Sequence, residues 1–246
     1  MPNEMTRFAA ERHEKLWGAE TWMSLAGMPL LFKVIDAKTR LSVQVHPNER
    51  TRLVTGGDPK TEMWCMLEDG FIYAGLKDGV GPRDIEAAVA SGRFEELMVR
   101  HDAKAGDVFF IPGGLVHAIG DNVRLYEVQQ YSDTTFRLYD WNRVGADGKP
   151  RELHVEKSLA AIDYTLRPPV AAKTAKSPFF DFRETEVEGE TTIAARDGSF
   201  TVLHAAKGSF TVNGAALPEG EGMYVPEGTD MTVAAAGKGL LLVTTL

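Results

Sequence analysis

The chain has 246 residues, with 35 acidic against 27 basic side chains, a formal charge of −8, one cysteine and 43% hydrophobic residues. That composition excludes a globally disordered chain and supplies enough apolar material for one large β-rich domain or two small ones. The lone Cys65 excludes a disulfide scaffold and thiolate zinc knuckles, so any metal must be held by His, carboxylate or amide groups.

The N-terminal segment is charged and lacks an apolar signal core, and no run approaches the ~20 apolar residues needed to span a bilayer. A cytoplasmic location without a membrane partner is expected. Net acidity argues against nucleic acid, whose binders carry a clustered basic face. A small anionic substrate stays compatible, because a few local cations can outweigh the global charge.

In chain order, short alternating runs predict strands over 30–35, 41–46, 62–67, 71–76, 108–111, 115–119, 123–129 and 135–139. Between 82 and 99 the spacing of Ile85, Val89, Phe94, Leu97 and Met98 predicts one or two short amphipathic helices, and another is expected over 153–162. Pro168, Pro169, Lys173 and Lys176 then mark a linker. Further strands follow over 191–195, 200–205, 209–212, 223–225, 231–234 and 240–244.

The second half partly repeats the first. GDVFFIPGGLVHAI (106–119) aligns without a gap on GEGMYVPEGTDMTV (220–233), and 62–74 aligns on 200–212. Two copies of a small β-barrel unit are expected, a pattern similar to the cupins, whose jelly rolls protect their sheet edges. The fold class is therefore mainly β, with cupin-like double jelly-roll β-barrels and a few short helices. The domains are 1–165, metal-binding and catalytic with a short helical insert, and 166–246, smaller and without metal ligands. His117 falls on Met231 and Glu62 on Phe200 in this alignment, and apolar side chains cannot serve as ligands.

Gln44 and His46, two apart in a strand, point to the same face, opposite Val43 and Val45. Together with Glu62 and His117 they make a donor set of two imidazoles, a carboxylate and an amide oxygen, suited to Zn²⁺ with a position left open. Cys65 reads as a small buried hydrophobe. His13, His101, His154 and His204 lack ligand-like partners, while Trp64 and Trp141 read as core and rim.

Longer motifs carry a more specific signal. LSVQVHPNE (41–49), KTEMW (60–64), GDVFFIPGGLVHAIG (106–120) and EVQQYSDTTFRLYD (127–140), with Trp17-Gly18 and RELH (151–154), resemble the type I phosphomannose isomerases of short bacterial form. The resemblance covers 17–164. It implies a zinc-dependent enzyme, possible also with another divalent ion, that interconverts mannose 6-phosphate and fructose 6-phosphate through a cis-enediolate. The metal ligands would be Gln44, His46, Glu62 and His117. Lys60, Glu127 and Arg137 would be catalytic, and Lys33 and Arg137 would bind substrate.

A lysine shifted downward or a carboxylate shifted upward could act as the base, which leaves Lys60 and Glu127 both open. Arg137 offers a planar fork for phosphate, against the plainer reading of a surface pair with Asp133 or Asp140. His154 would belong to a packing segment. The chain departs from the family in having only 82–99 where longer members carry a helical domain, and Gly113-Gly114 is expected to loosen the turn before His117. The competing functional class is a non-catalytic sugar-phosphate-binding cupin module; a third is a cupin oxygenase, which the amide ligand and nearby cations disfavour. Oligomeric state is not legible.

Overall fold

The computed structural model describes residues 1–145 and 148–246. Its elements are β1 (Thr6–Arg7), β2 (Glu11–Lys15), β3 (Gly18–Met23), β4 (Leu30–Ala37), β5 (Val43–Val45), α1 (Arg52–Thr55), β6 (Glu62–Met66), β7 (Gly70–Leu76) and α2 (Pro82–Ser91). After a 3-10 turn over Phe94–Leu97 come β8 (Met98–Ala103), β9 (Val108–Ile111), β10 (His117–Ile119), β11 (Val123–Gln130), β12 (Phe136–Tyr139) and α3 (Val155–Ala161). The remainder is β13 (Thr174–Lys176), β14 (Asp181–Ile193), β15 (Thr201–Lys207), β16 (Phe210–Val212), β17 (Ala215–Leu217), β18 (Gly222–Val225) and β19 (Met231–Thr245). The fold is mainly β with three short α-helices among the described residues, as the sequence pattern predicts.

The chain divides into two compact units. One comprises Arg12–Thr21 and Pro29–Ala171; the other comprises Met1–Glu11, Trp22–Met28 and Ala172–Leu246. The first N-terminal residues thus belong to the unit built mainly by the C-terminal part of the chain, because β1 pairs with β18.

The larger unit holds a five-stranded sheet, β12-β5-β10-β7-β8, and a six-stranded sheet, β2-β3-β4-β11-β6-β9. Their inner faces share one core: Ile72, Ala74 and Ile119 from the first sheet meet Ile35, Trp64, Met66, Phe109 and Leu125 from the second. The alternate residues of the five-stranded sheet, Val43, Val45, Tyr73, Ala118 and Leu138, face outward under Ile85, Ala88 and Phe94 of the helical segment and Ala161 of α3. Residues 82–99 are therefore a cover for that sheet. Pro82 opens α2, the Gly81 amide is capped by Asp84 Oδ2 at 2.8 Å, and Gly92 closes it in the left-handed conformation.

In the smaller unit the order β14-β19-β15-β18 repeats the order β4-β11-β6-β9. The ladders also set the residue correspondence. Glu62 pairs with Ile111, whereas Val225, aligned with Ile111, pairs with Thr201. The residue in the place of Glu62 is thus Thr201 and not Phe200; a one-residue slip turns a side chain to the opposite face, which a gapless alignment cannot detect. By the same ladders Val243 stands where Glu127 does, and Met231 and Val243 lie in an apolar core.

The segments 231–234 and 240–244 are joined in the single long β19, which bulges between Ala235 and Gly239 opposite Val187 and Gly189 of its partner β14. Strand β2 escapes the sequence pattern because all its residues are polar, and β3 and β8 because their apolar residues do not alternate. Gly18 in β3 lies where a Cβ would come within 2.0 Å of Asp36 O, at φ +149°. Gly18→Ala is expected to destabilise the protein by about 2 kcal/mol, read as a lowered urea midpoint; an unchanged midpoint would contradict this packing.

Candidate active site and metal centre

The inner faces of the two sheets change character along their strands. On β11 the inward series Val123, Leu125, Glu127, Gln129 runs from apolar to polar, and β4 runs from Ala37 and Ile35 to Lys33. Strand β6 runs from Met66 and Trp64 to Glu62, and β10 from Ile119 to His117. One end of the sandwich is an ordinary core. The other gathers the charged and imidazole groups.

Because directly paired antiparallel residues share a face, the ladder contacts Arg137–Gln44 and Gln44–His117 make a lateral row across β12, β5 and β10. His46 follows Gln44 by two residues, on the same side. Val43 and Val45 occupy the outer core, as strand alternation predicts.

His46, Glu62 and His117 converge, each offering a ligand atom within 4.8 Å of the others, and no other such His/Cys/Asp/Glu group occurs among the described residues. All three are essentially inaccessible. His46 Nδ1 lies 2.8 Å from Thr134 O, and His117 Nδ1 lies 2.8 Å from Leu115 O. A carbonyl only accepts, so each Nδ1 carries the proton and each Nε2 presents a lone pair.

Those two Nε2 atoms stand 3.2 Å apart, with Glu62 Oε1 3.3 Å from His46 Nε2 and Glu62 Oε2 3.7 Å from His117 Nε2. Neither Glu62 oxygen receives a well-directed hydrogen bond, although Lys60 Nζ is only 2.6 Å from Oε1. Burial and the Lys60 charge press the His46 pKa down to about 4, and burial lowers that of His117. Glu62 is driven well below the usual carboxylate range: burial opposes ionisation, but Lys60 and the histidines outweigh it. Neutral imidazoles and an ionised carboxylate with facing lone pairs fit a divalent cation.

The opposite sheet carries a second polar group. Lys33 Nζ donates to Gln129 Oε1 at 2.5 Å and lies 3.0 Å from Glu127 Oε1. Gln129 is oriented by its amide, which donates to Ser132 O at 2.8 Å. Burial would lower the Lys33 pKa, but Glu127, Glu20 and Glu62 together raise it, so the amine stays charged. Trp64 Nε1 donates to Glu127 Oε2 at 2.8 Å, and its ring meets His117 edge-on at 5.3 Å between centroids. The expectation that Trp64 belongs to the core holds, and its indole also touches both halves of the site.

Arg137 makes no pair with Asp140, which is taken by Arg143 and by both arms of the Arg151 fork. Its Nη1 donates instead to Glu152 O at 3.0 Å. Gly113 and Gly114 do not loosen their turn. A Cβ at Gly113 would lie 2.6 Å from Pro47 O, Gly114 has φ +98°, and the Gly114 amide donates to His46 O at 2.8 Å. The glycines permit the close approach that brings His117 beside His46.

Gln129 is absent from the sequence motifs' assigned roles, although it follows Glu127 by two and must share its face. Thr134 was beyond reach, because it acts through a backbone carbonyl. His101 Nε2 lies 3.0 Å from Ala74 O, and Cys65 is fully buried, as expected of a small hydrophobe. No helix among the described residues is long and apolar enough to cross a membrane.

Residues 5–63 match the family model for the phosphomannose isomerase type I catalytic domain. A mannose-6-phosphate isomerase of Streptococcus mutans is 32% identical over 217 residues, covering 80% of this chain and 68% of that protein. The chain belongs to the type I phosphomannose isomerase family. The mannose-6-phosphate isomerase ManA of Bacillus subtilis is 40% identical over 161 residues, covering 62% of this chain, which spans 49% of that relative's length. A crystal structure of the mannose 6-phosphate isomerase from Bacillus subtilis shares the fold, with a TM-score of 0.86 at 22% identity over 98% of this chain and 99% of that one.

The buried histidines set a pH window for the metal-free protein. A histidine whose pKa falls from 6.5 to about 4 on folding binds a proton more readily when unfolded, so stability is full above about 6.5 and declines as pH falls toward 4. His46 alone accounts for up to about 3 kcal/mol; Glu62 adds its loss only at more acid pH, because its folded pKa is depressed. Urea titrations of chelator-treated protein should show this decline, and Zn²⁺ should raise the Tm at pH 7. A flat profile, or no metal-dependent shift, would contradict the assigned protonation states.

Proposed function

We propose that this chain is a zinc-dependent aldose–ketose isomerase that interconverts mannose 6-phosphate and fructose 6-phosphate through a cis-enediolate. The observation that carries the reading is the pair of facing imidazole lone pairs beside an ionised, unsatisfied carboxylate, set in the same polar end as Lys33, Glu127 and Arg137. Family membership makes this chemistry the natural use of such an end.

Gln44, His46, Glu62 and His117 would hold the ion, with another divalent metal as a workable substitute. Once bound, it supplies electrophilic stabilisation for the oxygens on the reacting carbons. Lys60 and Glu127 handle the proton at C1 and C2. Trp64 fixes one Glu127 oxygen, while Lys33 sits against the other and holds positive charge beneath the substrate. Arg137 receives the phosphate: its Nε is buried without a hydrogen-bond partner, and the side chain is in part freed from competing carboxylates by the Asp140 pairs.

Two strand spacings, about 10 Å, separate Arg137 from His117 across the sheet. That separation suits a six-carbon phosphate with its reacting carbons at one end and its anion at the other. The charges also match. Lys33 and Lys60 cancel Glu62 and Glu127, so a divalent ion and Arg137 leave a surplus that attracts a dianionic substrate into an acidic protein.

A coupled assay for fructose 6-phosphate formation tests the reading. Chelator-stripped protein should lose activity and regain it with Zn²⁺. Arg137→Ala should lower kcat/KM by about 100-fold, the scale of a lost charge-assisted contact, while His204→Ala should change it far less. Full activity in metal-free protein, or equal losses in the two variants, would overturn the assignment; binding of the sugar phosphate without turnover would mark a binding module instead.

A further inference from the structure

Arg137 lies on β12, the outermost strand of its sheet, and meets β5 on one side only. Its backbone N–H and C=O are nevertheless both satisfied, and by a single residue. The Arg137 N–H donates to His154 Nδ1 at 3.0 Å, and the His154 N–H donates to Arg137 O at 2.7 Å. His154 thus replaces a neighbouring strand at this one position, using its side chain as acceptor and its backbone as donor. It stands immediately before α3, yet its side chain makes no capping bond to that helix. The ring rests instead edge-on against Phe136, 6.3 Å between centroids.

The same short segment grips the guanidinium through Glu152 O. It is anchored in turn by the two-pronged Arg151–Asp140 pair, at 2.7 and 2.6 Å. Three hydrogen bonds therefore link Arg137 to residues 152–154, and the strand bulges between Arg137 and Tyr139 where an unrestrained edge would be free to twist.

We propose that His154 is a positioning residue for substrate phosphate: by closing the open edge of β12 it fixes the backbone of Arg137 and so the direction of the guanidinium. This rests on the phosphate-binding reading of Arg137 given above. The chemistry demanded is an acceptor at the position of Nδ1, one bond beyond Cγ. Asn can place its Oδ1 there, Ala offers nothing, and Gln sets its acceptor one bond too far.

The test uses the full chain loaded with Zn²⁺. For His154→Ala, KM for mannose 6-phosphate and the dissociation constant of inorganic phosphate, by calorimetry, should each rise about tenfold, the scale of one lost hydrogen bond. Zinc content should match wild type, and kcat should change less than KM. His154→Asn should restore both constants to within about twofold, and His154→Gln should not. In the Arg137→Ala background, His154→Ala should cost no further phosphate affinity, because its effect passes through that side chain.

Unchanged constants in His154→Ala, an Asn variant as weak as the Ala variant, or additive losses in the double variant would each overturn the proposal. If His154→Ala does not fold, the Asn and Gln pair decides on the same criteria. A wild-type protein without turnover would refute the isomerase reading alone, since the phosphate measurements still stand. Wild-type protein that binds phosphate no better than Arg137→Ala would refute the role of His154.

Discussion

Two imidazole nitrogens with their lone pairs turned toward each other, beside a carboxylate stripped of water, form an arrangement that only positive charge can stabilise. Everything around it serves to hold that arrangement. Backbone carbonyls of Thr134 and Leu115 set the tautomers. Burial keeps the rings neutral, and Lys60 keeps Glu62 ionised. Lys60, 2.6 Å from Glu62 Oε1 and 3.4 Å from His46 Nε2, supplies part of the positive charge, but buried acceptors that face one another still cost free energy in the absence of a further cation. Binding of a divalent ion would offset that cost, which couples ligation to stability.

The sandwich meets this demand by a division along its length. Apolar inner residues bind the two sheets at one end, and the same strands deliver polar residues at the other. A rigid core so near the site lets short, buried contacts such as Trp64 to Glu127 and Lys33 to Gln129 persist. The smaller unit shows the alternative use of the same strand order. With Thr201, Met231 and Val243 in place of Glu62, His117 and Glu127, its inner face lacks the charged and imidazole groups of the site.

Much of this was legible in residue order. Most strands of both halves follow from alternation, and β9 coincides with its expected range. The helix over 153–162 is present as α3. The convergence of His46, Glu62 and His117 was foreseeable because Gln44 and His46 share strand parity and the repeat loses two of the donors. What escaped detection has three separate causes. Strand β2 is wholly polar, and the apolar residues of β3 and β8 do not alternate, so none of the three leaves a strand signature. The correspondence of Thr201 with Glu62 depends on ladder register, which gapless alignment does not encode. The glycines at 113 and 114 read as flexible, whereas close approach of Pro47 makes them a tight fit.

By itself the sequence determined the fold class, the donor types available once cysteine was excluded, and the family to which the motifs point. Those properties reside in side-chain identity and short-range spacing. Only the tertiary structure decided which nitrogen of each histidine faces the centre, that Glu127 is shared between an indole and a buried lysine, and that His154 closes the edge beside Arg137. The contacts of His46, Glu127 and His154 join residues 17 or more positions apart, where local pattern carries no information; only the Leu115 carbonyl that orients His117 is a near neighbour in sequence.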